Sequence, residues 1–285
     1  MRWSKGDRGN IDDARASSGR GMGGGVQLGL GGVVLLLVLS WATGTDFLSL
    51  LNNSGGLPTS QSEQSGELQT TPEEERMVDM VDAVARDTQA TWQQLLGSRY
   101  EMTTVKLFRD ATQSGCGAAE SATGPFYCPS DHKVYLDLGF FKDLSSRFGA
   151  PGDFAQAYVI AHEFGHHVQN LLGTSDRVRA GSMGANSASV ALELQADCYA
   201  GVWGHDASQS GRFSAGKVEL DAGDADEALR AASMIGDDRL QKMSTGRVQP
   251  ERFTHGSSAQ RMEWFQRGMK TGDPRQCDTF GSATQ

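Results

Sequence analysis

The segment AHEFGHHVQN, residues 161–170, places three histidines and one glutamate within six consecutive positions. His162 and His166 are four residues apart, so on a helix their imidazoles would project from one face, one turn apart. This arrangement suits a single zinc ion, which at a catalytic site takes three protein ligands and keeps one position for water. The spacing therefore predicts His162 and His166 as zinc ligands. His167 would point about 100° away from His166 and is predicted to be a helix-surface or core residue instead.

The residue after the first histidine, Glu163, would lie about 100° around the helix from it. Its carboxylate could then face a water molecule on the metal without binding the metal itself. From that position a general base can take a proton from water and later pass it to a leaving amine. The letters HEFGH fit the H-E-x-x-H pattern of metallopeptidases and fall on a predicted helix, as the chemistry requires. We therefore predict Glu163 as the catalytic base.

A third zinc ligand must lie elsewhere in the chain. A metzincin would continue with glycine and histidine at positions where Gln169 and Leu172 stand, which excludes that branch. Two acidic residues downstream are candidates. Asp176, in GTSD, resembles the ligand segment of the aspzincins, but the following RVRA lacks the tyrosine and glycine of that pattern. Glu193, in ELQADCYAG, is the better candidate.

Glu193 and Asp197 are again four residues apart and would share one face of a helix. One carboxylate can bind zinc while the other accepts the free ring N–H of a ligand histidine and fixes its orientation. A solvated acidic face is the alternative. The neighbours are mostly apolar, and they would penalise two unpaired carboxylates: Val190, Leu194, Ala196, Cys198, Tyr199 and Trp203. We therefore predict Glu193 as the third ligand and Asp197 as its supporting partner.

The elements that must position these residues follow an α+β pattern, a small sheet followed by a helical half. A helix is predicted from Thr71, where TPEEERMVDMV combines an N-cap, a proline at the first position and a capping box through Glu74. The segments TTVKLF and HKVYLDLGFF, within residues 101–141, alternate like strands. Further helices are predicted at 153–172, 188–204, 224–241 and 257–270.

The N-terminal quarter of the chain predicts a membrane anchor. Residues 21–45 contain no charged side chain and include GGVVLLLVLSWATG, long enough to span a bilayer, which takes about 20 mostly apolar residues. A secretory signal peptide is the alternative, but no clean cleavage site follows the apolar run. Basic residues precede the run, namely Arg2, Lys5, Arg8, Arg15 and Arg20. By the positive-inside tendency, residues 1–20 are predicted as a cytoplasmic tail and everything after residue 45 as extracytoplasmic. Residues 46–70 read as a flexible linker, and residues 71–285 as the catalytic domain.

The four cysteines are an even count, which is compatible with two disulfides in an oxidising compartment. Their spacing does not fix the pairing. Our first expectation is that Cys116 and Cys128 close a small turn-rich loop, which leaves Cys198 with Cys277. The net charge of −9 repels phosphate backbones, so nucleic acid is not an expected partner.

The chain resembles a bacterial family of membrane-anchored neutral zinc metallopeptidases. The matching blocks, in order, are MRW, GPFYCPSDHKVYLDLGFF, HEFGHHVQ, ELQADCYAGVW, AASMIGDDRLQ and FTHGSSAQRMEWFQRG. They cover nearly the whole chain outside the linker. The resemblance implies a zincin-like fold and a zinc-dependent peptidase.

A more distant similarity is to the membrane-associated gluzincins, which pair an H-E-x-x-H helix with an E-x-x-A-D helix. Gluzincins of that kind also have a strand at the sheet edge before the metal helix, which DHKVYLDLGFF resembles. They carry a Thr-His-Pro segment with an arginine six residues after the histidine. In THGSSAQR, His255 and Arg261 keep that spacing, and Gly256 replaces the proline. The resemblance implies that His255 donates a hydrogen bond to the reaction's oxyanion and that Arg261 orients substrate or supports the site. The alternative is that His255 caps the helix beginning at Ser257.

These features together predict a zinc-dependent neutral metallopeptidase, an endopeptidase with one Zn²⁺ per chain, acting on proteins or peptides. A membrane-anchored scaffold with a structural zinc ion is one alternative. Glu163 argues against it, because a structural site needs the histidines but not that glutamate. A hydrolase of non-peptide amides is another alternative, and turnover on generic protein substrates would separate it from the peptidase.

Overall fold

The computed structural model describes residues 1–16, 68–179 and 181–281. The predicted anchor at residues 21–45 lies outside these ranges, as does the predicted linker up to residue 67. None of the helices within the described ranges is long and apolar enough to cross a membrane.

The described residues form six strands and seven α-helices. The strands are β1 (Ile11–Asp13), β2 (Val105–Phe108), β3 (Ala111–Ser114), β4 (Gly117–Glu120), β5 (Phe126–Cys128) and β6 (Lys133–Asp137). The helices are α1 (Pro72–Leu96), α2 (Gly139–Ser146), α3 (Asp153–Leu171), α4 (Ala188–Ala207), α5 (Asp224–Met234), α6 (Asp237–Thr245) and α7 (Ser258–Thr271). The small sheet and the helical second half confirm the predicted α+β class.

The main sheet has the strand order β1-β2-β6-β5. β1, β2 and β6 run parallel, whereas β5 runs antiparallel to β6. The gluzincin comparison placed DHKVYLDLGFF at the edge of the sheet, and this is wrong, because β6 lies between β2 and β5. The edge strand nearest the later helices is β5. It has three residues, and the turn-rich composition around it gave no strand pattern to predict it from. β3 and β4 form a separate hairpin.

The sequence predicted residues 1–20 as a tail separate from the domain, and the structure corrects this for the described residues 1–16. Ile11 pairs in register with Val105, so β1 is part of the main sheet. Arg15 is almost fully buried and binds Glu74 and Glu75 at the start of α1. Of the basic residues that suggested a cytoplasmic tail, Lys5, Arg8 and Arg15 thus pair with acidic residues of α1. Glu74, expected to complete a capping box, turns its side chain to Arg15 instead, while Thr71 Oγ1 accepts from the Glu74 backbone N–H.

Most predicted helix boundaries agree with the structure to within three residues. The exception is the helix predicted at 224–241, which breaks into α5 and α6. Gly236 begins α6 from an extended conformation, and a Cβ there would lie 2.4 Å from the backbone nitrogen of Ser258. The break lets the start of α6 pack against the start of α7. The main core lies between the sheet and helices α1, α3, α4 and α5, and includes Val81, Leu107, Phe164 and Trp203.

Both disulfides expected from the sequence are present. Cys116 bonds Cys128 across the loop before β5, and Cys198 bonds Cys277. The second disulfide ties α4 to the C-terminal segment that follows α7.

Candidate metal centre

The side chains of His162, His166 and Glu193 converge, as the sequence predicted. Each offers one ligand atom, and these atoms all lie within 4.8 Å of one another. Glu193 Oε2 lies 3.2 Å from His162 Nε2, and Glu193 Oε1 lies 3.5 Å from His166 Nε2. The two imidazole rings are nearly perpendicular, with centroids 4.8 Å apart.

Close packing of α3 on α4 brings the three residues together. Gly165 faces Ala196 at the crossing, and a Cβ on Gly165 would lie 3.0 Å from the Ala196 carbonyl oxygen. A larger residue would push the helices apart, because such a short contact with backbone cannot relax easily. Gly165 therefore allows the histidines of one helix to reach the glutamate of the other.

A buried cluster fixes His162. Its Nδ1–H donates to Asp197 Oδ1 at 2.9 Å, and Asp197 is fully buried. Arg261 donates to both oxygens of Asp197, at 2.8 and 2.9 Å. The Tyr158 hydroxyl donates to Asp197 Oδ1 and accepts from Arg261. The sequence predicted Asp197 and Arg261 as supporting residues but missed Tyr158, one turn before His162.

His166 has a different partner. Its Nδ1–H donates to the side-chain oxygen of Gln169 at 2.8 Å. With both Nδ1 atoms protonated, the Nε2 lone pairs of His162 and His166 point toward the carboxylate of Glu193. These two nitrogens and the carboxylate oxygens are all acceptors, and acceptors that face one another repel unless a cation or a proton lies between them.

The geometry and charge of this group fit a zinc ion. Ligand atoms about 2.0–2.2 Å from a tetrahedral zinc ion lie about 3.4 Å from one another. The two oxygens of Glu193 lie 3.2 and 3.5 Å from the two histidine nitrogens, and one ligand atom from each of the three residues lies within 4.8 Å of the others. Burial lowers the pKa of His162, but the carboxylates of Asp197 and Glu193 raise it by more, to about 10. Burial raises the pKa of Glu193, and the charge of His166 holds it well below its usual range nonetheless. The pocket thus favours positive charge, and two imidazoles with a carboxylate are a ligand set typical of catalytic zinc.

Glu163, the predicted base, lies on α3 beside the ligands and is largely buried. Its negative charge is close enough to His166 to affect the pKa of that imidazole. Burial lowers the pKa of His166, but the charges of Glu193 and Glu163 outweigh it, so the pKa lies above its ordinary value.

His255 lies on the loop before α7, close enough for its charge to interact with Glu193. Its Nδ1 lies 3.2 Å from Asp237 Oδ1, and its imidazole is 53% exposed. Asp237 Oδ2 also accepts the backbone N–H groups of Thr254, His255 and Gly256, at 2.7, 2.7 and 3.1 Å. The sequence favours a solvated helix end for Asp237, but its carboxylate is buried and orients both the loop and the imidazole.

Gly256 explains the departure from the Thr-His-Pro pattern. Its φ of 92° lies in the left-handed region, which the proline ring cannot adopt. The turn after His255 therefore differs from the gluzincin turn. His255 also does not cap α7, because Ser257 and Gln260 form the capping box there.

The remaining acidic candidate and the third histidine lie apart from the group. Asp176 lies in a short turn after α3 and does not join the three ligand atoms. His167 is a fully buried core residue, as one of the two predicted readings had it. Its Nε2–H donates to the Glu101 carbonyl at 2.7 Å, and its Nδ1 lies 3.0 Å from the Tyr127 hydroxyl.

Comparison with known proteins gives one family and several relatives. A family model described as "Putative neutral zinc metallopeptidase" matches residues 1–280. The Escherichia coli (strain K12) protein "Uncharacterized protein YpfJ" is 46% identical over 298 aligned residues, which cover 99% of this chain and 100% of the relative. The Mycobacterium tuberculosis (strain H37Rv) protein "Uncharacterized protein Rv2575" is 48% identical over 207 residues, or 71% of this chain and 70% of the relative. No solved structure matches the chain significantly.

Proposed function

The chain belongs to the neutral zinc metallopeptidase family, and on that premise we propose that it is a zinc-dependent endopeptidase with a zincin-like, gluzincin-type site. The observation that carries the proposal is the convergence of His162, His166 and Glu193, with Glu163 one residue after the first ligand. These three side chains would hold one zinc ion per chain. Zinc held there would lower the pKa of a bound water to about 7 and polarise the scissile carbonyl.

Glu163 supplies the proton transfers in this proposal. Its carboxylate takes a proton from the attacking water and delivers it to the nitrogen of the leaving amine as the C–N bond breaks. The carboxylate is suited to this because it lies beside the ligands without belonging to the ligand group. A purely structural metal site would have no use for a largely buried carboxylate at that position.

His255 stabilises negative charge on the carbonyl oxygen in the tetrahedral intermediate. Asp237 accepts the Nδ1–H of the imidazole, so in the protonated ring Nε2–H remains to donate to the oxyanion. The half-exposed ring lies at the protein surface, where substrate can reach it. Such a donor contributes about 3–4 kcal/mol of transition-state stabilisation in related chemistry.

Substrate binds, in this proposal, as an extended strand along β5. The edge of β5 lies near the metal helix, because the Tyr127 hydroxyl accepts a hydrogen bond from Asn170 of α3 at 3.1 Å. Main-chain hydrogen bonds to an edge strand bind a peptide with little regard to its sequence. That mode of binding suits an endopeptidase that acts on exposed, unfolded segments.

We also propose membrane attachment through residues 21–45, in a compartment where the two disulfides form. Because β1 pairs with β2 of the domain, we propose that residues 1–16 and the domain lie on the same side of the membrane. In this proposal residues 21–45 enter the bilayer and return on that side, which differs from the single crossing that the sequence predicts. Labelling with a membrane-impermeant thiol reagent tests this placement. One cysteine is introduced within residues 1–16 and another, in a second variant, on the surface of the domain.

The experiment for the metal site uses the full chain purified in detergent, with zinc measured by mass spectrometry and casein as substrate. We expect the wild type to carry one zinc ion and to cleave casein, and Glu193→Gln to lose both. Asp176→Asn is the matched control and should keep both. Loss of zinc in Asp176→Asn with retention in Glu193→Gln would refute the ligand assignment. A zinc-loaded wild type that cleaves no peptide bond would favour the scaffold or the non-peptide hydrolase.

A further inference from the structure

The two proposed ligand histidines have different hydrogen-bond partners, a carboxylate for His162 and an amide for His166. The amide that binds His166 is linked to a second buried amide. Gln169 lies one turn after His166 on the same face of α3 and is fully buried. Its side-chain oxygen accepts from His166 Nδ1–H at 2.8 Å. The contact involves neither a carboxylate nor an arginine, in contrast to the cluster around His162.

The amide of Gln169 has one allowed orientation. Its nitrogen donates to the Leu192 carbonyl at 2.7 Å and to the side-chain oxygen of Gln195 at 3.2 Å. Both partners are acceptors, so a flipped amide would oppose oxygen to oxygen in a buried place. The oxygen of Gln169 must therefore face His166.

Gln195 extends this chain to the disulfide. Its side-chain nitrogen donates to the Cys277 carbonyl at 2.9 Å, and Cys277 is bonded to Cys198 on α4. The C-terminal segment is fastened a second time, because Thr279 Oγ1 donates to the Ala191 carbonyl at 2.6 Å. The chain of contacts runs from the disulfide through Gln195 and Gln169 to the Nδ1 of His166.

We propose that Gln169 is a positioning residue that selects the metal-binding tautomer of His166, and that Gln195 and the Cys198–Cys277 disulfide hold Gln169 in place. This inference rests on the proposed zinc site. With Nδ1–H bonded to Gln169, the lone pair of His166 Nε2 is free for the metal. Without that acceptor the proton has no reason to remain on Nδ1, and the ring loses its fixed orientation.

The same contact also links the two helices that carry the ligands. Leu192 immediately precedes Glu193, so the bond from Gln169 to its carbonyl anchors the backbone beside the third ligand. Gln169 thus holds the His166 ring on one side and the turn of α4 that carries Glu193 on the other. A residue that lacks either the acceptor or the donor would serve half of this role.

Zinc affinity measured by competition with a chelator tests the inference on the full chain. Gln169→Leu removes both halves of the contact, and we expect zinc affinity to fall about 10–100-fold, the usual effect of losing a group that orients a ligand. Gln169→Glu keeps an oxygen for His166 Nδ1–H but opposes a second oxygen to the Leu192 carbonyl, so it should recover only part of that loss. Gln195→Leu should lower the affinity several-fold, because Gln169 then loses one of its two acceptors.

Gln89→Leu is the matched control. Gln89 is equally buried, and its amide bonds Thr103 and Asn10 away from the metal group. We expect Gln89→Leu and Gln169→Leu both to lower the melting temperature and Gln169→Leu alone to lower zinc affinity. Equal zinc affinity in wild type and Gln169→Leu would overturn the inference. Should Gln169→Leu fail to fold, unchanged affinity in Gln195→Leu would overturn it. A wild type that binds no zinc would instead refute the proposed function.

Discussion

His162 donates its Nδ1–H to Asp197 across 2.9 Å, at a position where Asp197 is fully buried and also binds Arg261. Burial raises the pKa of Asp197, and the positive charges of Arg261 and His162 more than compensate, so it lies below its ordinary value. Asp197 is thus an ionised acceptor that keeps the proton of His162 on Nδ1 and directs Nε2 toward Glu193, where the proposed zinc ion would bind.

Replacing Asp197 should therefore weaken both metal binding and the fold. We expect Asp197→Asn to lower zinc affinity about 10–100-fold and to destabilise the protein by about 3–5 kcal/mol, because Arg261 is left buried without its counter-charge. Chelator competition and denaturant unfolding measure the two effects.

The chain offers a control for this variant in a second buried pair, Asp87 with Arg212, whose atoms approach to 2.7 Å. Asp87→Asn should lower stability similarly and leave zinc affinity unchanged. If both variants lost zinc equally, the effect of Asp197 would be one of general stability rather than of ligand orientation.

His255 should matter for turnover and not for metal binding. We expect His255→Gln to keep one zinc ion and to lose about 100–1,000-fold in kcat, the usual effect of removing an oxyanion donor. Zinc analysis and steady-state kinetics on one preparation of His255→Gln measure both quantities. A kcat within about twofold of wild type would mean that His255 has a structural role.

The pH dependence of kcat/KM follows from the environment of His255. Surrounding protein lowers the pKa of His255, but the hydrogen bond to Asp237 and the nearby Glu193 carboxylate raise it by more, above 6.5. If the protonated imidazole is the active form, activity is present below this raised pKa and lost as pH rises through it. Asp237→Asn removes the main raising contact, so the alkaline limb of the profile should move to lower pH. If the alkaline limb stays at the same pH in Asp237→Asn, it reports the titration of a group other than His255.

The N-terminal segment should stabilise the domain in a pH-dependent manner. Hydrogen bonds to Arg15 lower the pKa of Asp13, and bonds to Arg8 and Arg15 lower that of Glu75. A carboxylate with a lowered pKa contributes stability above its unfolded pKa, here 3.8 and 4.5, which is lost as pH falls through the folded value. We expect Arg15→Gln to cost about 1–3 kcal/mol at neutral pH, less than a fully buried pair because the carboxylates are partly exposed.

Unfolding measured at pH 7 and at pH 3 tests this. The difference between wild type and Arg15→Gln should shrink at the lower pH, and a difference that stayed constant would mean that Arg15 acts through packing alone.

The two disulfides should differ in their effect on the metal site. Cys198→Ser with Cys277→Ser opens a loop with a sequence separation of 79, against 12 for Cys116 with Cys128. By loop entropy the first pair contributes about 4–5 kcal/mol and the second about 3 kcal/mol. Zinc affinity should fall in the first double variant and stay near wild type in the second. Equal zinc affinities in the two double variants would mean that the Cys198–Cys277 disulfide does not act on His166 through Gln195 and Gln169.

The sequence predicted that His162, His166 and Glu193 form one group, because helical spacing puts the two histidines on one face of α3, and Glu193 with Asp197 on one face of α4. It also predicted most helices, whose apolar periodicity and caps are local features. The roles of Tyr158 and Asp237 were missed because their partners lie on other elements, and that of Gln169 because a glutamine after the motif carries no signal of its own.

Features that depend on tertiary packing could not be predicted from the sequence, because the residues that stabilise them lie on other elements. β1 and β5 are three residues long and form through pairing with β2 and β6. The segment of residues 1–16 looked like a basic tail because the acidic face of α1 that binds it is far away in the chain. The helix predicted at 224–241 breaks at Gly236, which is extended and lies so close to the backbone of Ser258 that a Cβ would clash there.

The most direct test of the account is turnover of a quenched fluorescent peptide mixture by wild type and Glu163→Gln, each shown to carry one zinc ion by mass spectrometry. We predict equal zinc content and a fall in kcat of at least about 100-fold in Glu163→Gln, because the zinc site is intact and the base is absent. Cleavage at the wild-type rate by zinc-loaded Glu163→Gln would contradict the proposed mechanism.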